Sequence, residues 1–343
     1  MDARAIVFVI RRSIYAIITL LILIVLIFSL IHLIAPNPFA LAKIYSGAPH
    51  ATRAELLPII KQYGLNLPVY VQIADYIGHV FTGNFGMDPV HDQPVIKLIA
   101  IYLPRTLEFV VPGVILSVLL GLFTGAYAAS KRRKPADNVV KGIYLSTWSV
   151  PPFLLAALFQ LFIAYDLKLL PAINMANPTL ASPPNVLAFP LLNALWARDW
   201  VYVVSLIHHM ILPTITVAVI SFGVITRLTR STMLDVMETD YFRLTLMKGI
   251  ARRKAIYGVA LRNASIPLVT YIVLALAYSF AGAVIIEDIF AYHGIGFYIV
   301  NSIDTFDYPG ILGTTIVIAI AIIVANFIAD ILYGVLDPRV RLE

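Results

Sequence analysis

The sequence predicts an all-α integral membrane protein with six transmembrane helices. Of its 343 residues, 60% are hydrophobic and only 13% are charged, whereas about a quarter of the residues of a soluble domain are charged. The mean hydropathy of +0.88 points the same way. Apolar runs of about 20 residues recur along the chain, and each is long enough to cross roughly 30 Å of hydrocarbon as a helix. The chain has no cysteine, which excludes disulfides and thiolate metal sites.

The first span is predicted at about residues 13–35. This run carries no charged residue and follows Arg4, Arg11 and Arg12. A cleaved signal peptide also begins with basic residues and an apolar run, but its apolar core is usually about 7–15 residues long. The greater length of the run favours a retained transmembrane helix.

The next segment, residues 36–103, has apolar positions too interrupted for a span, so it is predicted to form a small ordered domain on the extracytoplasmic side. Together with the first span it makes up an N-terminal unit, residues 1–103. A transmembrane domain, residues 104–336, and a cytoplasmic tail, residues 337–343, follow. The five spans of this domain are predicted at about residues 104–130, 139–165, 206–225, 266–286 and 310–336.

The second span contains small residues at helical spacing. Gly121 and Gly125 lie four residues apart, and Ser117 lies one step earlier. Such spacing lets two helices approach closely. Glycine is also common in membrane helices for no specific reason, and the sequence alone leaves both interpretations open.

The third span contains Pro151 and Pro152 near its middle. Proline removes a backbone donor and clashes with the preceding turn, so the helix should kink or break there. Irregular backbone at membrane depth has to face protein or a water-filled cavity. Pro151 and Pro152 are therefore candidate elements of a transport pathway.

The sixth span carries one acidic residue, Asp330, about two turns from its end. A charge within a bilayer is usually functional or paired. Asp330 could act as a gate or proton relay, or it could form an ion pair with a basic residue of another span. We expect the ion pair, because a single acid without a second titratable partner makes a poor relay.

The distribution of basic residues predicts the orientation. Residues 1–12, 131–141, 227–262 and 337–343 contain 18 of the 25 lysines and arginines. Because basic residues concentrate on the cytoplasmic side of membrane proteins, both termini are predicted to be cytoplasmic in a multi-pass protein of the cell membrane. The basic pI near 9.4 then reflects topology, and no nucleic-acid partner is expected.

The sequence lacks the common catalytic motifs. It contains no GxxxxGK[ST] nucleotide-binding loop, no HExxH and no GxSxG. His208 and His209 are adjacent, and neighbouring side chains on a helix point about 100° apart, which suits packing better than metal binding. We expect neither an enzyme activity nor a cofactor or metal bound by this chain.

The segment from Arg227 to Pro267 is polar, basic and helical in pattern. Within it, Asp240 suits a helix N-terminus and Gly249 suits a C-terminal cap. Tyr241, Leu244 and Lys248 fall on one side of the short helix between them. Such an amphipathic helix can lie in a groove of another protein or on lipid headgroups, and the pattern alone does not decide between the two.

A resemblance to a known family favours the protein groove. The family pattern, D-Y-[VI]-R-T-A-x-A-K-G followed by L-R-N-A-x-[IL]-P, belongs to permease subunits of ATP-binding-cassette importers of the dipeptide and oligopeptide type. This chain resembles it at Asp240, Tyr241, Arg243, Lys248, Gly249, Leu261, Arg262, Asn263, Ala264, Ile266 and Pro267. Further matching segments, in the order of the first permease of the peptide-type pair, are YGLNLPVYVQ, LPRTLEF, SVPPF, PLLNALWARDW, HHMILP, GAVIIEDIF and DILYGVLDPRVR.

The resemblance implies a type I importer permease fold and a set of partners. These are a second homologous permease, two cytoplasmic ATPase subunits that bind ATP and magnesium, and an extracytoplasmic solute-binding protein. An ATPase-coupling helix is implied at Asp240, Tyr241, Arg243, Leu244, Lys248 and Gly249, with supporting loop residues Arg252, Arg253, Arg262, Asn263 and Pro267. The chain departs from the family at Leu244-Thr245, where a Thr-Ala pair is usual, and at His293, where a proline is usual.

The expected cargo is peptides, with oligosaccharides or sugars as the alternative. A rival of another class is a secondary transporter driven by an ion gradient. That class is typified by broken helices or paired ionisable residues at matching places in two repeats. The sequence shows no such repeat.

Overall fold

The computed structural model describes residues 3–46 and 50–336, so the predicted tail at 337–343 lies outside the described residues. In the described ranges the fold is mostly helical, with one two-stranded hairpin. Its helices are α1 (Ala3–Ile34), α2 (Pro38–Ser46), α3 (Arg53–Gln62), α4 (Val69–Phe81), α5 (Val95–Ser130), α6 (Pro135–Ser149), α7 (Pro152–Phe159), α8 (Pro190–Trp196), α9 (Trp200–Glu238), α10 (Asp240–Met247), α11 (Arg252–Lys254), α12 (Leu261–Ile289), α13 (Ile295–Asp304) and α14 (Tyr308–Leu336). The hairpin strands are β1 (Met87–Asp88) and β2 (Gln93–Pro94), and two π-helical segments lie at Gln160–Asp166 and Ala255–Ala260.

Five of the described helices, α1, α5, α9, α12 and α14, are long and apolar enough to cross a membrane. A sixth crossing is available if α6 and the helical segment from Pro152 to Asp166 count as one bent span. The structure thus agrees with a multi-pass membrane protein of five or six spans.

The fourth span differs from the prediction at both ends. Residues 166–205 were predicted as an outer loop, but α9 already begins at Trp200, where the carboxylate of Asp199 caps it by accepting a hydrogen bond from the amide of Tyr202 at 3.0 Å. The segment from Arg227 was predicted to leave the membrane, but α9 continues to Glu238. The helix continues because its basic side chains find partners on the neighbouring helix α6, as described below.

The centre of the fold is the pair α5 and α9, which pack along most of their lengths. Glycines on α5 make this possible. A methyl group added at Gly121 would lie 2.5 Å from the Cγ2 of Ile225, and one added at Gly125 would lie 2.6 Å from the Cβ of Thr229. Of the two interpretations that the sequence left open, the structure shows the close helix approach, with α9 as the partner helix.

The segment between the first two spans forms helices α2 to α4 and the hairpin. An apolar cluster that includes Leu41, Leu56, Ile60 and Leu65 holds α2 and α3 together. The hairpin is antiparallel, with Met87 opposite Pro94, and β1 packs against α14. The described residues of this segment form helices and a hairpin; that they make a separate domain outside the membrane stays a prediction.

Candidate functional site

Helix α10 forms a short arm between two longer helices. A single residue, Thr239, in extended conformation separates it from α9, and Phe242 anchors it by packing in a buried cluster with Met233 and Ile256. Gly249 follows at φ +77°, a conformation that favours glycine and ends helices. The helix therefore begins and ends at the residues that the sequence predicted.

The outward face of α10 carries large apolar side chains that the described residues leave exposed. Leu244 is 55% exposed and Met247 is 80% exposed, and Tyr241 lies on the same exposed side. An exposed apolar stripe on a rigidly anchored helix is typical of a protein contact surface. We call Tyr241, Leu244 and Met247 the α10 stripe.

The polar residues of α10 add little to its stability. The guanidinium of Arg243 lies 3.4 Å from the carboxylate of Asp240, but both side chains are largely exposed, and exposed pairs of this kind contribute little. The carboxylate of Asp240 stands in the first turn, where it opposes the helix dipole favourably. Lys248 is exposed and caps the C-terminus through its amide, which donates to Leu244.

The prediction of a supporting loop is wrong in one respect, because its residues are helical: Arg252 and Arg253 lie on α11, and Arg262 and Asn263 lie on α12. They have few polar contacts of their own. The amide of Asn263 donates to the carbonyl of Val259 at 2.8 Å, while Arg252, Arg253 and Arg262 are exposed. Among the described residues, no hydrogen bond or ion pair is recorded between these arginines and α10. The side chain of Pro267 lies outside the described part of the structure.

The third span breaks at the predicted prolines. Helix α6 ends at Ser149, α7 begins at Pro152, and the two are bent by 101°. Next to the break, a cavity of about 320 Å³ lies between α6, α9 and α12. Its walls are apolar or carry hydroxyl groups, with no charged side chain among the described lining residues, which include Thr147, Trp148, Ser221, Tyr271, Tyr278 and Ser279.

Comparison with known proteins identifies the family. The family described as "Binding-protein-dependent transport system inner membrane component" matches residues 117–342, and its N-terminal part, "Binding-prot-dependent transport system membrane comp, N-term", matches residues 5–109. The chain belongs to this family. It is a transport permease and not itself an enzyme.

Similar permeases cover almost the whole chain. A dipeptide transport system permease protein, DppB, of Escherichia coli K12 is 32% identical over 337 residues, 97% of this chain and 98% of the relative. A probable D,D-dipeptide transport system permease protein, DdpB, of the same strain is 32% identical over 92% of both chains. A di/tripeptide transport system permease protein, DppB, of Pseudomonas aeruginosa is 31% identical over 92% of both chains.

Asp330 of the permease forms an ion pair. Its carboxylate lies 3.3 Å from the guanidinium of Arg12 on α1, so the expected pairing with a basic residue of another span is confirmed. The pair is about half exposed. Asp330 therefore joins the first and last spans of the permease, at a distance from the proline break.

A second polar cluster of the permease explains two of its sequence motifs. Thr106, of LPRTLEF, donates to the fully buried carboxylate of Glu287, of GAVIIEDIF. The other carboxylate oxygen accepts from the amide of Phe297 at 2.8 Å. A methyl group at Gly294 or Gly296 would collide with Glu287 or with the backbone of α12. Only glycine fits beside the carboxylate, which gives a physical reason for the Gly-x-Gly turn.

A third cluster of the permease, at the hairpin, contains two buried acids. Asp88 accepts hydrogen bonds from the imidazole of His91 and the hydroxyl of Tyr298, each at 2.8 Å. Burial by itself favours neutral Asp88, but these bonds and two from backbone amides lower its pKa. Burial and the nearby charge of Asp88 raise the pKa of Asp307 to about 6.

Sequence reasoning missed three features of the permease. Phe242, the buried anchor of α10, was overlooked because the helix was examined only for an exposed face. Met247, which belongs to the α10 stripe, was not singled out; Lys248, which was predicted on the same side, is exposed as well. The hairpin cluster joins residues more than 200 positions apart, and no local pattern in the sequence signals such a contact.

Proposed function

We propose that the chain is one of two permease subunits in an ATP-driven importer of peptides. The α10 stripe carries the proposal, because it is an uncovered apolar surface on a firmly anchored helix, as docking onto a second protein requires. The cargo is proposed from the relatives, whose names specify dipeptides or di/tripeptides.

In this proposal two cytoplasmic ATPase subunits bind ATP and magnesium, and one of them grips α10. A similar second permease completes the channel, and an extracytoplasmic binding protein delivers the peptide. The basic residues near α10 and at the N-terminus support placing α10 and both chain termini on the cytoplasmic side of the cell membrane. The segment with α2 to α4 then lies outside.

The passage is proposed at the break after Pro151, beside the cavity lined by Tyr271 and Tyr278. The wall combines aliphatic and aromatic side chains with hydroxyl groups and has no charged group among the described lining residues. It offers hydrogen bonds to a hydrated solute and no ion pair that would hold it. Transport requires such weak contacts, because cargo must leave the passage as well as enter it. Selection of the peptide is left to the binding protein.

The test is uptake into vesicles that contain the permease with its partner subunits. Uptake is expected to require ATP and to continue when proton and sodium gradients are collapsed. Uptake sustained by an ion gradient without ATP would refute the importer proposal.

Docking is tested separately with Leu244→Glu and Met247→Glu, which place charge on the α10 stripe. Both variants should insert in the membrane normally but lose co-purification of the ATPases and lose uptake. Leu169→Glu is the control, because Leu169 is also exposed and apolar but lies in the loop at the opposite end of the fold. Full ATPase binding by both stripe variants would identify α10 as a helix of the lipid surface.

A further inference from the structure

We propose that Asp137 and Arg230 form the mechanical link that makes the first half of the broken span move with α10. The inference rests on the proposed function of α10 as the helix that the ATPase displaces. It assigns a role to a buried ion pair that neither the α10 stripe nor the cavity wall contains. In this role Asp137 and Arg230 are positioning residues and do not touch the cargo.

The link itself is a two-point contact. Asp137, on α6, is fully buried. Its Oδ1 accepts from the Nε of Arg230 at 2.7 Å, and its Oδ2 accepts from Nη2 at 2.9 Å. Two parallel bonds fix the angle as well as the distance between the groups. Lys141, on α6 itself, adds a further cationic contact to the same carboxylate at 3.1 Å. The two bonds from Arg230 cross between the helices, so α6 cannot rotate or slide on α9 without breaking them.

Two further contacts extend the attachment along α6 toward the break. The guanidinium of Arg227 lies 5.3 Å from the ring centre of Trp148, in cation–π geometry. One turn toward the N-terminus of α9, a methyl group at Gly223 would lie 2.8 Å from the carbonyl oxygen of Tyr144 on α6, so the backbones of the two helices are nearly in contact. Positions 223, 227 and 230 of α9 thus hold α6 over about two turns.

The same stretch of α9 leads directly to α10. Helix α9 runs without a break through Arg230 to Glu238, and only Thr239 separates it from α10. Phe242 of α10 packs back against Met233 of α9. A displacement of α10 is therefore carried into α9, and through Asp137 into α6.

The second half of the span is attached elsewhere. Beyond Pro151 the chain turns by 101°, and the side-chain amide of Gln160 donates to the carbonyl of Ile289 at the end of α12, at 2.8 Å. Ala156 and Phe159 pack in the apolar cluster that contains Ile286 of α12. The same cluster contains Met210 and Leu212 of α9. The second half of the span is therefore held by α12 and by the first part of α9, whereas the first half is held by the part of α9 that leads to α10.

The cavity lies between these two attachments. Trp148 of α6 and Ser221 of α9 form one wall, and Tyr271 and Tyr278 of α12 form the other. If α6 follows the part of α9 next to α10 while α7 stays on α12 and on the first part of α9, bending at Pro151 changes the separation of the walls. The Asp137–Arg230 link then couples ATPase movement to the width of the passage. A buried pair is a poor source of stability compared with apolar packing, which agrees with a positioning role.

The experiment uses the complete importer with pairs of spin labels. Because the chain contains no cysteine, introduced cysteines are labelled without background. One pair, Asn138→Cys with Ser231→Cys, measures the attachment of α6 to α9, and the other, Asn138→Cys with Tyr165→Cys, spans the break. In the otherwise unmodified protein, ATP should change the second distance by several ångströms and leave the first unchanged.

The test variant is Asp137→Asn with Arg230→Gln, which removes both charges together and avoids leaving one of them buried alone. ATP should now change the first distance, and peptide uptake per ATP hydrolysed should fall at least fivefold while ATP hydrolysis stays within twofold. Arg132→Gln is the control, because the Arg132–Glu238 pair also contacts the end of α9 but is exposed, at 44% and 62% of its side chains. Arg132→Gln should leave both the first distance and the uptake per ATP as they are in the unmodified protein.

The proposal is overturned if the double variant keeps both the fixed first distance and the full uptake per ATP. If the double variant is not recovered from membranes, Arg230→Lys serves in its place, since lysine keeps the charge but cannot form two parallel bonds. If the unmodified protein shows no ATP-dependent uptake, the importer proposal fails and this link fails with it. ATP-dependent uptake with an unaffected variant refutes the link alone.

Discussion

Replacing Gly121 by alanine tests whether α5 and α9 pack as closely as the structure indicates. The added methyl group would lie 2.5 Å from Cγ2 and 2.7 Å from Cβ of Ile225, about 1 Å closer than ordinary van der Waals contact. Ile225 is fully buried, and a β-branched side chain in a helix has one strongly preferred rotamer. The helices must therefore separate locally, at a cost of about 1–3 kcal/mol.

The matched control is Gly142→Ala on α6, where an added methyl group meets nothing within 4 Å. Alanine at an unhindered helical position stabilises by about 0.5–1 kcal/mol relative to glycine. The free energies of unfolding of the two variants, measured by tryptophan fluorescence in mixed detergent and SDS micelles, should therefore differ by about 1.5–4 kcal/mol. Equal stabilities would show that α5 and α9 are not in contact at Gly121.

Three further predictions concern single contacts. For Asp307→Asn we expect a greater gain in stability over the parent at pH 7.5 than at pH 4. The pKa of Asp307 is raised to about 6, so the parent loses stability as pH rises from about 4 to about 6, whereas the variant does not. An equal difference in melting temperature between variant and parent at the two pH values would contradict this. Asp330→Asn should change the free energy of unfolding by less than about 1 kcal/mol, because its pair with Arg12 is partly exposed, and it should leave uptake intact. Loss of uptake would instead support a role of Asp330 as a proton relay. Phe242→Ala should loosen α10 by removing a contact worth about 3–5 kcal/mol, detected as faster tryptic cleavage within α10, whereas exposed Tyr241→Ala should not; equal cleavage rates would mean that Phe242 is no anchor.

The five long apolar helices could be predicted from the sequence because hydrophobic length is a local property. The ends of the helices were less predictable. The fourth span was predicted at residues 206–225, but α9 runs from Trp200 to Glu238. The prediction ended too early because the basic residues after position 226 were expected in a solvent-exposed loop. Arg230 instead meets a buried carboxylate from another helix, and this partner cannot be read from the residues around it.

The candidate site shows the same division. The bounds of α10 and the break at Pro151 follow from turn and helix chemistry within a few residues, and both were predicted. The role of Glu287 in holding the Gly-x-Gly turn depends on Thr106, 181 positions away. Motifs such as LPRTLEF are visible in the sequence, but their physical meaning emerges only when the helices that carry them are placed side by side.

The separation of α9 from α10 by the single residue Thr239 limits how this part of the chain can change in length. Each residue inserted into a helix turns everything beyond it by about 100° and advances it by about 1.5 Å. One extra residue between Arg230 and Thr239 would point the α10 stripe in a different direction while leaving its composition untouched. We therefore expect natural relatives to vary in length in the loop before α8 and to keep the number of residues between Arg230 and α10 constant.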